Sequence, residues 1–93
     1  GKVVIEAMAS EIPVIVSNVS GLAEIVEDGI NGLKFSVGDH IELADSIVQL
    51  YRDNDKRLKI IKSGLELVKS NYQIDDVLSK TNRVYYESIT VQK

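Results

Sequence analysis

The sequence predicts an α/β fold with short parallel strands and several helices, on three observations. Two short apolar runs, Pro13 to Ser17 (PVIVS) and Leu33 to Ser36, flank a stretch with helical character. A strand, a helix and a strand in so small a compass favour a parallel pair, because parallel strands need a crossover between them. From Asp39 onward the apolar residues recur at helical spacing. At 93 residues, 44% hydrophobic and 27% charged, the chain has the size and balance of one small globular domain.

The elements follow in order. Lys2 to Ser10 (KVVIEAMAS) is dominated by apolar residues and contains helix-favouring Ala and Met, which predicts a short, mostly buried helix with Glu6 as its one carboxylate. In PVIVS, proline stands at the first strand position, where its missing N–H is tolerated. Ser20 is then placed as an N-cap for a helix through LAEIVED, stopping at Gly29. Asn31-Gly32 reads as a turn before the second strand. Asp39 and Glu42 match a capping box for a helix with an apolar face of Ile41, Ala44, Ile47, Val48 and Tyr51. A helix from about Asp55 to Ser70 carries Leu58, Ile61, Leu65 and Val68 on one side, with Lys56, Lys59, Lys62 and Lys69 away from that stripe. A last helix from about Asp75 places Val77, Leu78, Tyr85 and Ile89 together. Two short strands cannot cover this many helices, so the sheet is expected to continue through strands before residue 1.

Composition narrows the chemistry. The chain contains no cysteine, which excludes disulfides, thiolate catalysis and cysteine-based zinc sites, and its single histidine, His40, is expected to be exposed. No apolar run approaches the roughly 20 residues of a membrane span. The net charge of −3 divides unevenly: residues 1–50 hold two basic and eight acidic side chains, residues 51–93 nine basic and six acidic. The basic half reads as a solvated helical surface, with peripheral membrane association of a parent protein as the sharper reading. Aromatics are few and not interleaved with basic residues, which argues against nucleic-acid binding.

One stretch carries a specific pattern: GKVVIEAMASEIPVIVSNVSGLAEIVEDGINGLKF. Its ordered markers are Gly1, Glu6-Ala7-Met8-Ala9, Pro13-Val14-Ile15, Ser20-Gly21, Glu24-Ile25-Val26 and Asn31-Gly32-Leu33. In this order and spacing they resemble the glycosyltransferases of family 4 and their GT-B-fold relatives. Ser20-Gly21 departs from the Gly-Gly common there. The resemblance implies a partial, nucleotide-sugar-binding domain over residues 1–93, part of the Rossmann-like C-terminal half of a GT-B enzyme. It implies transfer of a sugar from a nucleotide diphosphate sugar with retention, without a metal or other cofactor. The partners implied are the donor and an N-terminal domain of the same enzyme, in the cytoplasm or at the inner membrane surface.

In the family, two glutamates seven residues apart frame the donor site. Glu6 matches the second, which the resemblance assigns to the donor ribose; the first would stand two positions before Gly1. An ionised carboxylate is acceptor-only and can serve a vicinal diol. Gly1, Lys2 and Val3 form the helix N-terminus, whose N–H groups suit the donor pyrophosphate, and Gly1 matches a family glycine that allows close backbone approach. Lys2 lies one turn before Glu6 on the same face. The chain alone is therefore expected to lack turnover. Gly21 is read as a conformational residue, Glu24 as structural, and Tyr72, Tyr85 and Tyr86 as packing residues. The alternative readings are a non-catalytic α/β interaction module and a GT-B epimerase or phosphorylase.

Overall fold

The computed structural model describes residues 2–19, 21–80 and 89–92. Gly1, Ser20, Tyr85 and Tyr86, to which the sequence assigned roles, lie outside them. The chain runs α1 (Lys2–Ala9), β1 (Val14–Ser17), a 3-10 turn (Gly21–Glu24), β2 (Leu33–Phe35), α2 (His40–Arg52), α3 (Asn54–Asn71), α4 (Ile74–Ser79) and β3 (Thr90–Gln92). The sheet has the order β2-β1-β3, with β1 central and both pairings parallel. Ile15 stands opposite Leu33 on one side and Val91 on the other. The expected parallel pair is present. The third strand replaces the C-terminal end of the predicted last helix, since Ile89 leads directly into β3.

Strand alternation divides the core. Val14 and Val16 point to one face, where they pack with Val4, Ala7 and Met8 of α1, and with Val26 and Val68. Ile15 points to the other, against Leu33, Phe35, Leu43, Leu50 and Ile60. A period of two along one buried strand thus supplies both layers of the core. All four β1 residues are buried, as expected for the central strand of a covered parallel sheet.

α1 ends without a glycine. Glu11 takes φ 59°, while Glu11 N–H donates to Met8 O (3.1 Å) and Ile12 N–H to Ala7 O (2.9 Å). That bond pair is a Schellman motif, with a glutamate in the left-handed position that glycine usually fills.

The predicted helix through residues 22–28 is only the one 3-10 turn. Asn31 accounts for the difference: its Oδ1 accepts from Glu27 N–H (2.8 Å) and its Nδ2 donates to Ile25 O (3.3 Å). These side-chain bonds hold backbone groups that a helix would have paired. Gly29 does have a positive φ of 80°, but in a turn closed by its N–H on Gly32 O (2.8 Å). At Gly21 a Cβ would stand in open space, so close packing does not call for a glycine there.

The Asp39 cap is as expected, its side chain accepting from Glu42 N–H at 2.9 Å. Glu42 does not complete the box; its Oε1 accepts from Ser36 N–H at 3.1 Å and ties the end of β2 to the start of α2. The buried residues of α2 are Leu43, Ser46 and Leu50, whereas Ile41 and Tyr51 of the predicted face are 77% and 79% exposed. In α3 the buried row is Ile60, Gly64 and Val68, and Leu58 faces solvent. A Cβ on Gly64 would meet Met8 Cγ at 3.1 Å. The close approach of α3 to α1 at this glycine turns α3 away from the stripe its larger apolar residues suggest. Lys59, Lys62 and Lys69 are exposed as predicted, as is His40, while Lys56 is half-buried with its ammonium on Gln49 Oε1.

Candidate functional site

α1 precedes β1 and runs back along it, so the helix N-terminus lies near the carboxyl end of the strand. In open α/β sheets this is the edge where ligands bind. A cavity of about 510 Å³ opens there, between α1, the segment leaving β1 and α4. Ile5, Ile25 and Val77 give it an apolar lining, and Lys2, Glu6, Asp76 and Lys80 give it charge, with Tyr72 and Gln73 completing the wall. Its size and its mixture of apolar surface with a few charged groups are those of a small-molecule site.

Glu6 is placed there by helix geometry. It is buried, 1% exposed, in the middle of a helix whose neighbouring Val4, Ile5, Ala7 and Met8 are also buried. Lys2, one turn earlier, brings its Nζ to 3.9 Å from Glu6 Oε1, with the lysine side chain 73% exposed. A buried carboxylate and a solvated ammonium therefore stand side by side at one wall. Charges are seldom buried unless paired or used.

Of the residues singled out from sequence, Lys2 and Glu6 meet in the cavity. Val3 is half-buried on α1 and is not among the lining residues. Glu24 is exposed and outside it, although the next residue, Ile25, lines it. Sequence reasoning missed the α4 wall. Tyr72 is 48% exposed and borders the cavity, not the packing residue expected of it. Asp76 and Lys80 share a helix face by their spacing of four, a visible signal, but nothing in the sequence set that face against α1. A wider, shallow groove of about 800 Å³ runs along the α2–α3 corner past Asp45, Val48 and Arg52. Its openness makes it a poorer ligand site than the smaller cavity.

Residues 1–67 match the family described as glycosyl transferases group 1. The chain belongs to that family. Among similar proteins of the group, the N-acetyl-alpha-D-glucosaminyl L-malate synthase of Bacillus anthracis is 29% identical over 93 residues, covering 100% of this chain and 24% of that protein. The phosphatidyl-myo-inositol mannosyltransferase of Mycobacterium leprae is 35% identical over 85 residues, 91% of this chain and 22% of its own length. Among solved structures, Anabaena Alr3699/HepE in complex with UDP-glucose superposes with a TM-score of 0.73 at 28% identity, over 86% of this chain and 22% of that one. The chain thus spans about a quarter of the length of these relatives. The α/β arrangement with parallel strands expected from the motif is present, and it is the part of the chain's fold that superposes on the solved structure.

Proposed function

We propose that this chain is the donor-binding part of a retaining glycosyltransferase that uses a nucleoside diphosphate sugar. The observation that carries the proposal is Glu6: a buried carboxylate lining a cavity of about 510 Å³ at the carboxyl edge of a parallel sheet. In this reading Glu6 accepts hydrogen bonds from the ribose diol. The first turn of α1 faces the diphosphate with its N–H groups, and Lys2 adds its ammonium. The acceptor pocket belongs to the remainder of a longer protein. The family membership and the UDP-glucose complex of one structural relative support the donor class.

The test is titration calorimetry with UDP and with its 2′,3′-dideoxy analogue. Glu6→Gln keeps the shape of the side chain but removes its charge and turns one acceptor into a donor. The loss with UDP should be roughly 1.5–3 kcal/mol, about tenfold to a hundredfold in affinity. It should shrink sharply with the dideoxy analogue, which lacks the contact in both proteins. Equal losses for both ligands would make Glu6 a fold residue, and no loss would remove it from the site. In the same preparations, nucleotide sugars offered with acceptors should give no turnover above a no-protein control, because one domain cannot position both substrates. Turnover abolished by Glu6→Gln would refute that.

A further inference from the structure

The cavity has a second charged wall. Asp76 in the first turn of α4 and Lys80 at its C-cap lie one helical turn apart, and both line the same space as Lys2 and Glu6. Among the described residues no ion pair joins Asp76 to Lys80; the one ion pair there is Lys2 with Glu6 at 3.9 Å. The two walls are therefore unequal. On α1 the ammonium is already drawn toward a buried carboxylate. On α4 the exposed ammonium of Lys80 is not held by a carboxylate among the described residues.

A nucleoside diphosphate brings a negative charge on each phosphate into a cavity that already contains the carboxylates of Glu6 and Asp76. Its entry needs cationic compensation, and among the described residues Lys2 and Lys80 are the cations that line the space. We infer that Lys80 binds the diphosphate of the donor across the cavity from α1, and that Asp76, on the same face of α4, opposes this binding. The inference rests on the donor-binding reading above and assigns to α4 a role in recognising charge. Tyr72 and Val77 supply the uncharged surface of the same wall. A lysine closing a helix also complements the helix dipole, and the experiment must separate that structural role from binding.

The probes are UDP and uridine, with GDP and guanosine in parallel, titrated into the chain at low ionic strength and followed by calorimetry or by NMR shifts. Lys80→Ala should weaken diphosphate binding roughly two- to fivefold, the scale of an exposed ion pair, and leave the nucleoside unchanged. Lys80→Arg should retain the affinity, and Asp76→Asn should raise it for the diphosphate alone. Added salt should erase these differences. If the parent chain binds UDP or GDP and Lys80→Ala binds it equally well, the inference is wrong and the donor-binding reading stands. Equal weakening toward nucleoside and diphosphate would make Lys80 structural and also overturn it. If the parent binds none of the four probes, both readings fall. Should Lys80→Ala not fold, Asp76→Asn decides the matter: a rise in affinity for the diphosphate alone supports the inference, and no rise overturns it.

Discussion

At the scale of single residues, Gly32 shows how a position can be fixed by space alone. A Cβ built there would lie 2.8 Å from Val14 Cγ2, 2.9 Å from Val14 O and 2.9 Å from Val26 Cγ1. The carbonyl belongs to the central strand and cannot yield without moving β1. Gly32→Ala should therefore destabilise by about 1–3 kcal/mol, the usual cost of overpacking, which a denaturant melt would measure. A change below about 0.5 kcal/mol would mean that the β1–β2 layer is looser than described. The sequence marked Gly32 as part of a turn and of the Asn31-Gly32-Leu33 marker, without a sign of this close approach. Glu6 was more legible, because the resemblance singled it out within an apolar helix, and its spacing from Lys2 implied the shared face. Lys80 was not legible. It stands 74 positions from Glu6 along the chain, and only the return of α4 to α1 sets the two residues at one cavity.

At the scale of elements, local signals served where side chain met backbone within a few residues. The Asp39 cap is of this kind. They failed where another local bond competed. Asn31, read as a turn residue, uses its side chain to hold Ile25 and Glu27, and so shortens the preceding helix to one turn. Glu42 likewise spends its carboxylate on Ser36. The exit from α1 had no sequence signal, because its left-handed residue is Glu11 and not glycine. That position makes a clear prediction. A non-glycine residue in the left-handed region costs roughly 1–2 kcal/mol, and glycine's added freedom in the unfolded chain offsets about 0.4–1 kcal/mol of the relief. Glu11→Gly should raise stability by up to about 1 kcal/mol, and Glu11→Val should lower it by a similar amount. At about 4–8 °C per kcal/mol for a domain of this size, thermal melts resolve both. A loss of stability with glycine would show that the glutamate side chain contributes more than its backbone strain costs.

At the scale of the whole molecule, the question is which side of α2 faces the core. The periodicity of the sequence pointed to Ile41, Ala44, Ile47, Val48 and Tyr51, which outnumber the apolar residues on the other side. The structure buries Leu43, Ser46 and Leu50 instead, and Ser46 is accommodated by its hydroxyl bond to Glu42 O at 2.9 Å. Connections determine this choice. Glu42 ties the start of α2 to Ser36, and Arg57 at the start of α3 donates to Leu50 O at 2.9 Å, so the helix is held at both ends. The radius of gyration, 12.4 Å, matches the roughly 12 Å of a compact chain of this length. The outward apolar residues of α2 are exposed in this chain. Together with Leu58, 59% exposed on α3, they leave Ile41, Val48 and Tyr51 on the surface, the kind of patch that promotes association. Ile41→Lys and Tyr51→Lys should each change stability by no more than about 0.5 kcal/mol, whereas Leu50→Ala should cost about 2–5 kcal/mol. Sedimentation at rising concentration should show self-association in the parent chain and less of it in the doubly substituted one. If instead Ile41→Lys unfolds the domain as readily as Leu50→Ala, then α2 packs through the face its periodicity suggests, and the orientation imposed by Ser36 and Arg57 is wrong.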